Sequence, residues 1–185
     1  MRYLPVPTEN LETIQDEIYS LFPRHLMRKN ILHYVDPDYF LEKLAQQEKP
    51  NLKSYLEKTE CIDYVESMGF LVLQKFHKHS IHIDAMKSAQ CSLNIPIKNC
   101  KNTYINFYQN NGPMIEQLTA NGLKFYEYDH NRCVLIDRAE MSVPHIISLT
   151  EPHNVSNENK TVRITFLIRL NNEFDMSSYQ KKNSS

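Results

Sequence analysis

The spacing of apolar residues changes period once along the chain, and the change predicts the fold. In the first 68 residues apolar positions recur at helical spacing. Leu11, Ile14, Ile18 and Leu21 form one such segment, with Thr8 or Asn10 as its cap and Pro23 as its stop. Tyr39, Phe40 and Leu44 form a second, capped by Asp36 or Asp38. A third follows Pro50, with Leu52, Tyr55, Leu56, Cys61, Ile62 and Val65, and runs to near Gly69. Beyond Gly69 the apolar runs are short and rich in β-branched and aromatic residues, which predicts strands over 70–76, 80–84, 91–97, 103–108, 123–128, 132–137, 145–149 and 162–170. Asn110-Asn111-Gly112-Pro113 reads as a turn, 114–120 as one short helix ended by Asn121-Gly122, and the polar tail from Asp175 as frayed. Helices followed by about eight short strands suggest a mainly β fold, a double-sheet jelly roll with N-terminal helices against one face.

Composition narrows the function classes. At 185 residues the chain has the size of one domain, read as a helical support region over 1–68, a β core over 69–170 and a flexible tail over 175–185. Lys plus Arg (21) nearly cancels Asp plus Glu (22), leaving a net charge of -1. That balance lacks the bulk attraction that drives non-specific nucleic-acid binding, so nucleic acid is not the expected partner. The four cysteines (61, 91, 100 and 133) match no Cys-x-x-Cys pattern and are expected as free thiols. No apolar leader opens the chain and no run of about 18 apolar residues occurs, so a soluble, cytoplasmic protein without a membrane partner is expected.

The candidate chemistry begins at His82-Ile83-Asp84. Residues two apart on a strand share a face, so an imidazole and a carboxylate project together while Ile83 points away. A second histidine from another strand would complete a two-His-one-carboxylate facial triad, which leaves positions open on iron(II) for a co-substrate and O₂. Pro152-His153-Asn154-Val155 supplies that histidine, and Arg163 follows it by ten positions at the start of Val-Arg-Ile-Thr-Phe-Leu-Ile-Arg-Leu. Along that strand Arg163, Thr165, Leu167 and Arg169 share one face. An arginine facing the inside of a β-barrel is costly unless it meets a carboxylate. Its planar fork suits the far end of a dicarboxylate whose other end sits on the metal.

The order His-x-Asp, distal His, then Arg ten residues on resembles the 2-oxoglutarate/Fe(II)-dependent dioxygenase superfamily. Within it the chain is similar to the prolyl-hydroxylase-type branch and its small phage and bacterial relatives. The resemblance rests on Ile81-His82-Ile83-Asp84, Leu93-Asn94-Ile95-Pro96-Ile97, and Glu151-Pro152-His153-Asn154-Val155 through Arg163 to Arg169-Leu170, covering roughly 69–170. It implies a double-stranded β-helix core of cupin-like type, with Fe(II) held by His82, Asp84 and His153. It also implies that Arg163 binds the C5 carboxylate of 2-oxoglutarate, with Asn94 beside the co-substrate and ascorbate supporting turnover. The implied reaction is hydroxylation of a small molecule, an amino acid or a peptide side chain. The segment Ala85-Met86-Lys87 departs from relatives in lacking a glycine.

Other residues compete for these roles. His77 and His79 read as a polar loop or as a His-rich metal patch. His145 is a second candidate for the distal ligand, although Val155 stands ten positions beyond it where an arginine would be needed. Arg169 shares the face of Arg163 and is an alternative partner for the co-substrate. Tyr104 and Tyr108 line a pocket or face solvent. Two other classes of function stay open: a cupin-like metal-binding or sensing module without turnover, and a metal-independent structural protein.

Overall fold

The computed structural model describes residues 1–46, 51–84, 89–118 and 124–183. Strand β1 (Tyr3–Pro5) leads to helix α1 (Leu11–Ser20), a 3-10 turn over Arg24–Arg28 and strand β2 (Ile31–Val35). Helices α2 (Pro37–Ala45) and α3 (Asn51–Lys58) follow, then a 3-10 turn over Ile62–Tyr64. The strands continue as β3 (Val65–Leu73), β4 (Ile81–Ile83), β5 (Ala89–Lys98), β6 (Thr103–Asn110), β7 (Met114–Leu118) and β8 (Lys124–Tyr128). After them come β9 (Cys133–Glu140), β10 (His145–Ser148), β11 (His153–Asn157), β12 (Arg163–Asn171) and helix α4 (Met176–Asn183).

The strands form two six-stranded antiparallel sheets, ordered β1-β10-β5-β12-β3-β2 and β7-β8-β4-β11-β6-β9. This is the jelly roll that the strand pattern predicts, a double-stranded β-helix with helices on one face. Alternation on β3 and β12 explains why. Phe70, Val72, Ile164, Phe166, Ile168 and Leu170 point to the helices and pack with Ile14, Ile18, Phe40, Leu52 and Leu56. The intervening Leu71, Leu73 and Leu167 meet Val155 of the second sheet between the layers. Ile105 and Phe107 of β6 pack against Ile147 and Leu149 to fill the rest of that space.

Local signals place the helices. Asp36, not Asp38, caps α2: its Oδ1 accepts from Tyr39 N at 2.8 Å, and Pro37 opens the helix. Asn10 precedes α1 in a left-handed conformation without a side-chain cap. All four cysteines are free. Among the described residues no helix is long and apolar enough to cross a membrane.

Four expectations are corrected. Met114–Leu118 is not helical but strand β7, paired with β8; positions 119–123, including the expected helix stop Asn121-Gly122, lie outside the described residues. The third helix ends at Lys58, and Val65 already belongs to β3. The helical support region also contributes β1 and β2, which extend opposite edges of the first sheet. The polar tail carries α4, whose Met176 is buried.

The ring cluster of Phe22, Phe40, Phe70 and Phe166 anchors the helices, with the Phe70–Phe166 and Phe40–Phe166 centroids both 4.9 Å apart. Phe70 and Phe166 are wholly buried. Replacing Phe70 by Ala is expected to cost about 3–5 kcal/mol, read as a lower urea midpoint with an unchanged slope.

Candidate metal centre

Register brings the three residues together. On the second sheet His153 of β11 lies directly across from His82 of β4, with ring centroids 4.7 Å apart. Asp84 follows the end of β4 and points back to the same face. One donor atom from each of His82, Asp84 and His153 lies within 4.8 Å of the others. His82 Nε2 is 3.8 Å from Asp84 Oδ1, and His153 Nε2 is 3.9 Å from Asp84 Oδ2.

Hydrogen bonds orient both rings. His82 Nδ1 meets Ser80 O at 2.9 Å and His153 Nδ1 meets Glu151 O at 2.8 Å. A carbonyl only accepts, so each Nδ1 donates and each Nε2 faces Asp84. A backbone carbonyl behind each ring is the usual support for a metal-ligating histidine. Burial, and then His82, push the His153 imidazolium down to about 4, so His153 is neutral near pH 7. For Asp84 burial works toward a raised value, but Arg169, then His153 and His82, hold the carboxyl well below the usual range. The donor set is two imidazole nitrogens and one carboxylate, the chemistry of a divalent transition-metal site.

Arg169 bonds this carboxylate, its Nη1 donating to Asp84 Oδ2 at 2.7 Å. Arg163 differs. It is 1% exposed, and its Nε and Nη1 are buried without a hydrogen-bond partner. Burial pulls its guanidinium down and the Cys100 thiol beside it offsets only part. Among the described residues no carboxylate forms an ion pair with it.

A cavity of about 80 Å³ opens on the cluster and is lined by all three residues with Asn94, Ser92, Leu71, Val155 and Leu167 among others. Asn94 is buried on β5 and its Oδ1 accepts from Ser92 Oγ at 2.8 Å. A larger cavity of about 320 Å³ lies between α1, α3 and α4, remote from the histidines. Chemistry, not size, singles out the smaller one.

The competing residues separate clearly. His79 also lines the cavity, and burial lowers its imidazole to about 3. His145 is buried on β10 with Nδ1 on Val143 O at 2.7 Å and stands outside the cluster. Arg138 covers the ring of Tyr104, and Tyr108 donates to Asn154 Oδ1 at 3.4 Å; neither tyrosine lines the cavity. Leu32 of β2 lines it unpredicted, because β2 itself had no clear signal in the sequence.

No protein-family model matches the chain, and no curated protein matches its sequence. Solved structures do. An oxidoreductase of the 2OG-Fe(II) oxygenase family from Burkholderia pseudomallei matches with a TM-score of 0.50 at 9% identity, covering 91% of this chain and 85% of that one. A prolyl-4-hydroxylase from Pseudomonas putida gives 0.42 at 12% identity, covering 91% and 90%. A dTDP-4-dehydrorhamnose 3,5-epimerase from Elizabethkingia anophelis gives 0.34 at 11% identity, covering 68% of this chain and 60% of that one. At such identities the likeness is one of fold. The chain is a cupin-type jelly roll with a His-Asp-His cluster at an opening between its sheets.

Asp84→Ala would leave the Arg169 guanidinium, with a side chain 6% exposed, without its carboxylate. Breaking such a buried pair is expected to lower the stability of the metal-free protein by about 3–5 kcal/mol. Adding Arg169→Met should restore much of it in a double-mutant cycle followed by thermal denaturation.

Proposed function

We propose that this protein is an Fe(II)- and 2-oxoglutarate-dependent oxygenase that hydroxylates a small molecule, an amino acid or a peptide side chain. The observation that carries the reading is the His82–Asp84–His153 cluster, supported by a buried Arg163 on the inward face of β12 whose Nε and Nη1 lack partners, although Arg163 is not part of the cavity lining. The first offers a facial set of metal donors and the second calls for an anion. A dicarboxylate is the simplest molecule that answers to both.

His82, Asp84 and His153 would hold the metal, and Arg163 the far carboxylate through its fork. Asn94 would lie beside the co-substrate. Iron with 2-oxoglutarate supplies oxidative decarboxylation: O₂ is consumed, succinate and CO₂ leave, and one oxygen atom enters a C–H bond of the substrate. The chain's own contribution is orientation and dryness. The two carbonyl contacts fix the orientation of each ring, with Nε2 aimed inward. Leu71, Val155 and Leu167 present apolar walls that exclude water. Ionised Asp84 balances part of the charge of a divalent ion.

The test is succinate release from 2-oxoglutarate with Fe(II), ascorbate and O₂. Wild type is expected to release it and His82→Ala to lose it. Arg163→Ala should raise the apparent requirement for 2-oxoglutarate tens- to thousands-fold, with Fe(II) binding near normal. Arg163→Lys should recover only part of the loss, since an ammonium keeps the charge but not the fork. Fe(II) binding without succinate release would instead mark a metal-binding module, and no Fe(II) binding would remove both readings.

A further inference from the structure

A metal centre built from His82, Asp84 and His153 leaves Arg169 without a role. Asp84 turns one oxygen to each histidine, Oδ1 at 3.8 Å from His82 Nε2 and Oδ2 at 3.9 Å from His153 Nε2. By distance alone either oxygen, or both, would reach an ion placed between the rings. Arg169 breaks that symmetry, because its Nη1 bonds Oδ2 at 2.7 Å. A charge-assisted bond of this length in a buried setting is among the stronger hydrogen bonds a carboxylate accepts. A dication on the same oxygen would also lie against the guanidinium charge, which disfavours it.

Arg169 also has a polar neighbour: the phenol of Tyr34 on β2, a residue 40% exposed, favours the guanidinium cation. Tyr34 reaches this place because β2 lies close on β3, where it pairs with Gly69. A Cβ at Gly69 would stand 2.8 Å from His33 O, so any other residue there would push β2 outward. Burial opposes the Arg169 cation, but Asp84 and Tyr34 more than offset it.

We infer that Arg169 is a positioning residue that reserves Asp84 Oδ2, so that the carboxylate takes a divalent ion through Oδ1 alone. One more position on the ion is thereby left to an incoming ligand. The inference rests on the metal-centre reading above. Carboxylates bind ions through one oxygen or two, and a strong hydrogen bond to one oxygen biases the choice toward the other.

Co(II) is the probe, since its visible bands report coordination number without turnover. The full-length chain is titrated with Co(II) and followed by absorbance and calorimetry. Freed of the guanidinium, Arg169→Gln is expected to bind Co(II) about tenfold more tightly. Its bands should weaken and shift as the second oxygen joins. Arg169→Lys, which keeps the charge without the fork, should fall between. Tyr34→Phe should shift the bands the same way by less, and it removes only one hydroxyl, so it keeps the test open if the Gln variant does not fold. Unchanged spectra and affinities in Tyr34→Phe and in every Arg169 variant that folds would reduce Arg169 to a structural ion pair and overturn the inference. Failure of wild type to bind Co(II) at all is a different result, one that removes the metal centre and this role together.

Discussion

Two guanidinium groups lie between the sheets on one strand, and the need to offset their burial shapes the rest of the interior. Arg163 and Arg169 are 1% and 5% exposed on β12. A buried cation is tolerated only when a partner replaces its hydration. For Arg169 the partner is Asp84, which is thereby held ionised and turned toward the two histidines. For Arg163 the described residues offer the Cys100 sulfur and leave Nε and Nη1 unsatisfied. The opposite face of the same strand, Ile164, Phe166, Ile168 and Leu170, is part of the main core. That packing fixes where the arginines must sit, so β12 couples the stability of the fold to the chemistry of its interior.

The strand half of the fold is legible because alternation reports a two-sided sheet directly. The clearest failure, Met114–Leu118, has a physical cause. Met, Glu, Gln and Leu are good helix formers, and nothing in the local sequence reveals that β8 will pair with them. Strands β1 and β2 escape notice for another reason. Tyr3-Leu4-Pro5 is too short to show a period and carries a proline, which a sheet edge tolerates. Ile31–Val35 does not alternate: it is half-buried except at Tyr34, which is exposed. Cys61 to Val65 continue an apolar run with no break strong enough to mark the end of a helix.

The candidate site was legible as far as local geometry reaches. His82 and Asp84 share a face by the two-residue period, whereas no strand is predicted over His153–Asn157, which forms β11. That His153 lies opposite His82 is a matter of sheet register, which no local pattern contains. The same limit explains Arg169. Arg163 and Arg169 are six positions apart, about 20 Å along an extended strand. Nothing in the order of residues says which of them lies level with Asp84. His79 was read as part of a polar loop, yet its backbone N bonds Val155 O at 3.0 Å, and this turns the ring into the cavity.

Burial deepens from the mouth inward, and this grades the strength of the charges. The side chains of His82 and Asp84 are 17% and 19% exposed, that of His153 4%, and Arg163 has almost no contact with solvent. Leucine and valine side chains share the cavity lining with Ser92, Asn94 and His79. Leu73, cross-strand from Arg163, belongs to the same cluster as Leu71, Val155 and Leu167, which face the cavity. Charge interactions gain strength as the dielectric falls, so the deepest cation, Arg163, is the hardest to satisfy with water and the one whose burial costs the fold most.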